Sequence, residues 1–248
     1  MLEKIFLKSN FTPEERWLLE ELDGRIGSNC DFISLKTYES IFSKFDLKNK
    51  RIFDLGAGFL PISPQASEYI AALPSQNLNL IPVEINELRI RSWNLAKMEN
   101  ANPSESTINP VRGDMFKLPF PDESFDGGVS INVINNFRKL EAVPALLEEI
   151  RRVLKPGGFL ILSSFGYYKC TKEGQVFYNN DFKENEIITS NLVQASAELV
   201  GFSRIERIPL DPAKIKAEAI RKEEIENRKS SDKTKVEMVE PFGLLLRR

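Results

Sequence analysis

The stretch Arg51-Ile-Phe-Asp-Leu-Gly-Ala-Gly-Phe-Leu-Pro61 constrains this chain more than any other. An apolar, β-prone run of Ile52, Phe53 and Leu55 stops at Gly56-Ala57-Gly58. That is the pattern of a buried parallel strand turning sharply at its carboxyl end, the place where open α/β sheets bind ligands. Glycine at 56 and 58 permits positive φ and, with no Cβ in the way, lets a ligand reach the main chain. Asp54 sets the polarity: a carboxylate at the strand tip repels a diphosphate and suits a ligand carrying an ammonium or a sulfonium. A turn that only changes direction would use the same glycines, so the remainder of the chain has to discriminate.

The 248 residues suffice for one large α/β domain spanning 1–248, and no composition break suggests a linker. Net charge is −2 with both signs interspersed, unlike the one-sided positive field of a nucleic-acid binder, so a small-molecule acceptor is expected and no nucleic acid. The start MLEKIFLKSNF lacks the features of a signal peptide, and no apolar run reaches membrane-spanning length, which predicts a cytoplasmic protein with no membrane span. The chain has no histidine, and Cys30 and Cys170 stand apart. Cys/His metal sites, Ser-His triads and histidine bases are thereby removed together, and no metal is expected.

Before the glycine stretch, Thr12-Pro13-Glu14-Glu15 is a capping box leading into Trp17, Leu18, Leu19 and Leu22, and Phe32 to Phe45 is a second amphipathic run. Residues 1–48 therefore read as a helical lid over the pocket or a static cover of the sheet edge, with 49–248 as the core. After the glycines, Ser63-Pro64 caps a predicted helix through Leu73, and Leu78 to Ile85 reads as a second strand carrying Pro82 and ending at Glu84. Asn86 starts another helix, Val111 closes a short third strand, and Gly113-Asp114-Met115 follows. Glu84 fits a contact to ribose hydroxyls or a solvated loop carboxylate; Asp114 fits a contact to an adenine amine or a turn.

Leu118-Pro-Phe-Pro-Asp-Glu-Ser-Phe-Asp126, taken with DLGAG, Glu84, Gly113-Asp114-Met115 and Leu154-Lys-Pro-Gly-Gly158, resembles the class I S-adenosylmethionine-dependent methyltransferases. The likeness is to the UbiE-like, or methyltransferase type 11, branch that methylates small molecules, and it covers Lys50 to Phe165. The resemblance implies a Rossmann-like α/β fold: a seven-stranded sheet in order 3-2-1-4-5-7-6, the last strand antiparallel, with helices on both faces. It also implies S-adenosyl-L-methionine as cofactor. By the same resemblance Asp54, Gly56, Ala57 and Gly58 would hold the methionine portion, Glu84 the ribose, Ile85 one adenine face, and Asp114 with Met115 the other adenine contacts. Ser130 to Asn132, hence Ser130 and Asn132, would close the floor under the methionine moiety. The residue pattern supports the alternation independently: Gly128 to Ile134 is strand-like, Leu140 to Leu154 helical, Pro156-Gly157-Gly158 a stop and Phe159 to Ser163 a strand.

Three departures stand out. Leu60-Pro61 replaces a third small residue, Asn135-Asn136 stand where many relatives carry histidine, and Gly127-Gly128 have lost their side chains at the fourth strand. Asparagine can orient an acceptor but is no base near neutral pH. Beyond the fifth strand, Phe165 to Cys170, and then Phe177 and Tyr178, read as aromatic loops; Ile187 to Leu199 reads as a helix, Phe202 to Ile208 as a strand, 211–235 as a charged helical insertion and Val239 to Leu246 as the final strand. Tyr38, Asn135, Asn136 and Tyr167 are the candidates for the acceptor side, and no catalytic base is assigned. The expected reaction is direct methyl transfer to a small or medium-sized acceptor (EC 2.1.1.-), where in-line alignment alone lowers much of the barrier. A non-catalytic binder of the same cofactor is the alternative; a nicotinamide-dependent dehydrogenase is disfavoured by Asp54 and Pro61.

Overall fold

The computed structural model describes residues 12, 40–57, 78–99, 107–164, 166–178, 183, 186–229 and 234–248. Of the predicted helices, Pro13 to Leu22 and Ser63 to Leu73 lie outside the described residues, as does most of Phe32 to Phe45. The elements are β1 (Arg51–Leu55), β2 (Asn79–Glu84), α1 (Glu87–Glu99), β3 (Thr107–Ile108), β4 (Val111–Arg112), β5 (Phe125–Ile131), a 3-10 turn at Ile134–Asn136 and α2 (Ala142–Val153). There follow β6 (Leu154–Ser164), β7 (Tyr167–Lys172), β8 (Gln175–Tyr178), α3 (Ser190–Leu199), β9 (Arg204–Arg207), α4 (Pro212–Lys229), β10 (Lys235–Val239) and β11 (Phe242–Arg247).

The main sheet runs β3-β2-β1-β5-β6-β11-β9, with β4 also paired to β2. Strands β2, β1, β5 and β6 are parallel, and β11 is antiparallel to both β6 and β9. Counting β3 and β4 as two halves of one strand, the order across the sheet is 3-2-1-4-5-7-6. The halves are separated because Thr107 and Ile108 pair with Asn79 and Leu80, and Val111 and Arg112 pair with Val83 and Glu84. The gap falls at Pro82 facing Pro110, and neither has an N–H to give the ladder.

Strands β1 and β2 are almost wholly buried because both faces of the sheet are covered. One face joins Phe53, Leu55, Ile81, Val83, Leu160 and Leu162 to Leu146, Leu147 and Ile150 of α2. The other joins Ile52, Val129 and Ile161 to Ile41 and Phe42 of the segment before β1. The described end of the N-terminal extension therefore belongs to the core. Gly127 and Gly128 leave room for neighbouring rings: a Cβ on Gly127 would lie 2.4 Å from the Phe159 ring, and one on Gly128 2.0 Å from that of Phe53.

Two expectations are corrected. Phe165 to Cys170 and Phe177-Tyr178, expected as loops, contain β7 and β8, which with β10 form a second antiparallel sheet, β10-β7-β8. The expected single strand Val239 to Leu246 is two: Val239 ends β10, and β11 begins at Phe242 in the main sheet. The charged segment is the helix α4, whose Ile215 packs with Tyr168, Val236 and Met238 of the second sheet. Among the described residues no helix is long and apolar enough to cross a membrane.

Candidate functional site

The candidate site lies at the carboxyl ends of β1, β2, β4 and β5. After Leu55 the chain turns through Gly56 at φ +63, and the N–H groups of Gly56 and Ala57 donate to the Val83 carbonyl at 2.9 and 3.3 Å, tying the turn to β2. A Cβ on Gly56 would lie 2.6 Å from Val133 Cγ2, so the absent side chain is what lets the turn after β5 press against the turn after β1. Val133 is a residue that sequence reading missed, since it is 77 positions away and chemically inert. Gly58 lies outside the described residues.

Asp54 is 6% exposed, and its carboxyl has no hydrogen bond or ion pair among the described residues. Burial, and secondarily the negative charge of Glu84, push its carboxyl up to about 8. Glu84, 4% exposed at the tip of β2, is differently placed: its Oε1 accepts from the Asn86 N–H at 3.0 Å and its Oε2 from Arg89 Nη1 at 3.2 Å. Asn86 caps α1, its Oδ1 accepting from the N–H groups of Leu88 and Arg89 at 2.9 and 3.3 Å, and that cap brings Arg89 back onto Glu84. Arg89 was missed; a basic residue five places after the acid, in the first turn of a capped helix, is the signal.

Ile85, next to Glu84, is 59% exposed, an unusual position for an isoleucine. Asp114 is exposed and folds back on its own loop, its Oδ1 accepting from the Phe116 N–H at 2.9 Å. Met115 is half-buried against the core of the α2 side. Phe116 of this loop is an exposed aromatic residue, and its ring meets that of Phe137 at 5.4 Å between centroids, inclined by 40°. The position of the loop is fixed by Arg152, which donates to the carbonyls of Leu118 and Phe120 and pairs with Asp122 and Glu149. The Arg152 hydrogen bond holds Glu149 below the usual carboxylate range.

At the end of β5, Ser130 is 1% exposed, beside Leu55 in register, and its Oγ has no partner among the described residues. Asn132 takes φ +55 and donates its N–H to the Ser163 carbonyl at 2.9 Å. In the 3-10 turn, Asn135 is 3% exposed with Oδ1 unpartnered among the described residues. Asn136 is exposed, and its Nδ2 donates to the carbonyls of Asn132 and Val133 at 3.1 and 3.2 Å, closing the turn itself. The two asparagines thus divide, one buried and unsatisfied, the other a turn clasp. Tyr167 departs from its expected place in an open loop: it is fully buried at the start of β7, its hydroxyl accepting from the Ile188 N–H at 3.0 Å, and burial raises its pKa. Tyr38 lies outside the described residues. Among the described residues no group of three or more Cys, Asp or Glu could hold a metal ion.

The donor set fits S-adenosylmethionine. A buried carboxylate with no cation among the described residues suits the ammonium and sulfonium, and a tip glutamate suits ribose. Residues 62–162 match the family model described as a methyltransferase domain. The sterol 24-C-methyltransferase ERG6B of Gibberella zeae is 40% identical over 138 residues, 55% of this chain and 32% of that protein. A fatty-acid O-methyltransferase of Mycolicibacterium smegmatis is 27% identical over 128 residues, 52% of this chain and 42% of that protein. The chain thus spans between a third and a half of the length of these curated relatives. The crystal structure of a SAM-dependent methyltransferase from Aquifex aeolicus superposes with a TM-score of 0.54 over 91% of this chain and 97% of that one, at 16% identity.

Proposed function

We propose that the chain is a class I S-adenosylmethionine-dependent methyltransferase, a reading supported by the methyltransferase-domain match and the curated relatives, and that it transfers the cofactor's methyl group to a small or medium-sized acceptor by direct displacement. One observation carries this reading: Asp54 is buried at the tip of β1 with no cation among the described residues, beside a turn where Gly56 takes φ +63 and has no space for a Cβ. When bound, S-adenosylmethionine supplies a methyl group made electrophilic by its sulfonium. Asp54 faces the positive charge of the methionine portion. Gly56 and Ala57 line it with main chain, and Gly58 joins them by the resemblance alone. Glu84 accepts hydrogen bonds from the ribose hydroxyls, its position held by Arg89 and the Asn86 N–H. Ile85 covers one adenine face, while Asp114 and Met115 form the opposing edge. Ser130 and Asn132 form the floor.

No base is assigned. Alignment of nucleophile, methyl carbon and sulfur accounts for much of the rate in such a displacement. The two named relatives act, by their names, on a sterol and a fatty acid, which supports an acceptor with a large apolar part. Ile41 and Phe42, before residue 48, pack on the sheet and are read with the core as one domain. The test is formation of S-adenosylhomocysteine from S-adenosylmethionine with a panel of small acceptors. Turnover with at least one is expected; tight cofactor binding with no turnover on any would instead favour a non-catalytic cofactor-binding protein.

A further inference from the structure

We propose that two copies of this chain associate through β8, the two strands running antiparallel about a two-fold axis at Phe177, so that two three-stranded sheets join into one. This goes beyond the methyl-transfer reading and does not depend on it.

The second sheet runs β10-β7-β8, so β10 and β8 are its edges. An edge strand turns every second N–H and C=O outward, and folded chains cap, charge or shorten such edges to keep other strands away. Which groups point outward follows from the hairpin. β7 and β8 join through Glu173 and Gly174, at φ 49° and 76°, the two-residue turn that leaves Lys172 and Gln175 as a hydrogen-bonded pair. Cys170 and Phe177 are the next such pair, and the main-chain groups of Val176 and Tyr178 between and beyond them point away from β7. Carried across β7, the same alternation turns the Val236 N–H outward on β10, and there it donates to Glu223 Oε2 of α4 at 3.1 Å. That edge is capped. The edge strand β9 of the main sheet, Arg204-Ile-Glu-Arg207, is blunted by charge at three of its four positions. β8, Gln175-Val-Phe-Tyr178, has neither charge nor proline, and its outward groups have no hydrogen-bond partner among the described residues. Val176 and Phe177 are 49% and 52% exposed.

The sequence of β8 suits its own copy. Pairing about a two-fold axis at Phe177 lets Val176 exchange both main-chain hydrogen bonds with the partner's Tyr178, and Tyr178 with the partner's Val176, which satisfies the outward groups of both strands. Phe177, whose main chain is turned to β7, falls on the axis as the closely approached pair without hydrogen bonds, side chain beside side chain. Across the joined sheet this completes an apolar row on the face that carries α4: Val236, Cys170 and Phe177, then the same three reversed. On the other face Tyr178 lies between Lys169 and the partner's Val176, so no like charges meet at the seam.

So short a pairing buries little area, and a weak dimer with a Kd of about 10 µM is expected. Sedimentation equilibrium of the full chain over a concentration series reads it. Val176→Pro keeps the side chain apolar and removes an N–H that points away from β7, so the hairpin stays intact while the Kd rises by at least about tenfold. Phe177→Glu, which sets two carboxylates face to face on the axis, should weaken the dimer by at least as much. Ile220→Glu, at an equally exposed apolar position on α4, should leave the Kd unchanged. A wild type that stays monomeric up to about 100 µM overturns the proposal. So does a dimer indifferent to either Val176→Pro or Phe177→Glu, which places the interface elsewhere, or one weakened equally by Ile220→Glu, which makes β8 part of a general apolar patch. Thermal melts check that each variant folds, and Phe177→Glu decides alone should Val176→Pro not fold.

Discussion

Asp54 and Asp126 sit on neighbouring parallel strands at opposite ends of the sheet, and their surroundings are opposite too. Asp126, at the amino end of β5, accepts from the Arg51 N–H at 2.9 Å, and Lys155 and Lys50 approach it at 2.9 and 3.8 Å. Burial alone would raise its pKa, but the Arg51 N–H and the two lysines outweigh that and hold it below the usual carboxylate range. Asp54, near the carboxyl end of β1, has burial and the charge of Glu84 with no cation among the described residues to offset them. At the amino end of the sheet the acid is paired within the chain, and Arg248 exchanges main-chain hydrogen bonds with Gly157 and Gly158 there. The paired acid adds to stability; the buried acid at the carboxyl end costs some of it.

The largest expected effect comes from making Asp54 neutral. Its folded pKa, about 8, lies above its unfolded value near 3.8, so the folded state prefers the protonated acid. The ligand-free protein should lose stability as pH rises from about 4 through 8 and level off above, by on the order of 5 kcal/mol at most. Asp54→Asn should flatten this slope in denaturant titrations repeated across pH. An unchanged slope would mean that Asp54 already has a cation.

Asp126→Asn should act in the opposite sense. Its lowered folded pKa contributes stability that is present above the unfolded value of about 3.8 and is lost as pH falls through the folded one. At pH 7 the substitution should cost about 1–3 kcal/mol, the difference vanishing in acid, with cofactor affinity unchanged. A loss of cofactor binding would break the division between the two ends.

Gly56→Ala sharpens it, because the substitution strains a positive φ and drives a Cβ into Val133. A stability loss of about 1–3 kcal/mol and a weaker cofactor complex are expected together in thermal melts with and without S-adenosylhomocysteine. The smallest effect is expected at Ile85, which is exposed: Ile85→Ala should leave the melting temperature unchanged and weaken cofactor binding by about 0.5–1 kcal/mol. Altered stability with unaltered binding would place Ile85 outside the site.

What the sequence made legible were features written locally. The strand–glycine turn at 51–58, the capped start of α1 at Asn86, the helix α2 and the charged helix α4 each depend on neighbours within one or two turns of chain. The sheet order followed from the resemblance. What stayed hidden depends on distant partners. Tyr167 to Lys172 alternates too weakly to read as a strand, and β7 exists because it pairs with β10, some 65 residues on. The split of the third strand needs Pro82 and Pro110 to face each other across the ladder. In the site, the acids were legible by type, but the partners that distinguish them were not: Arg89 satisfies Glu84 and nothing described satisfies Asp54. The two asparagines looked alike in sequence, and only the turn geometry separates the clasp, Asn136, from the unsatisfied Asn135.

The central claim is that Asp54 is left without a cation so that the cofactor can supply one. Calorimetric titration of S-adenosylmethionine at pH 7, in two buffers of different ionisation enthalpy, tests it most directly. A carboxyl with a pKa of about 8 is mostly protonated at that pH and must ionise against a bound cation, so nearly one proton should be released per cofactor bound. Asp54→Asn should abolish the proton release and weaken binding by about 1.5–3 kcal/mol, as for losing a hydrogen bond to a charged group. Binding that releases no proton in wild type, or that is equally tight in folded Asp54→Asn, would contradict the account.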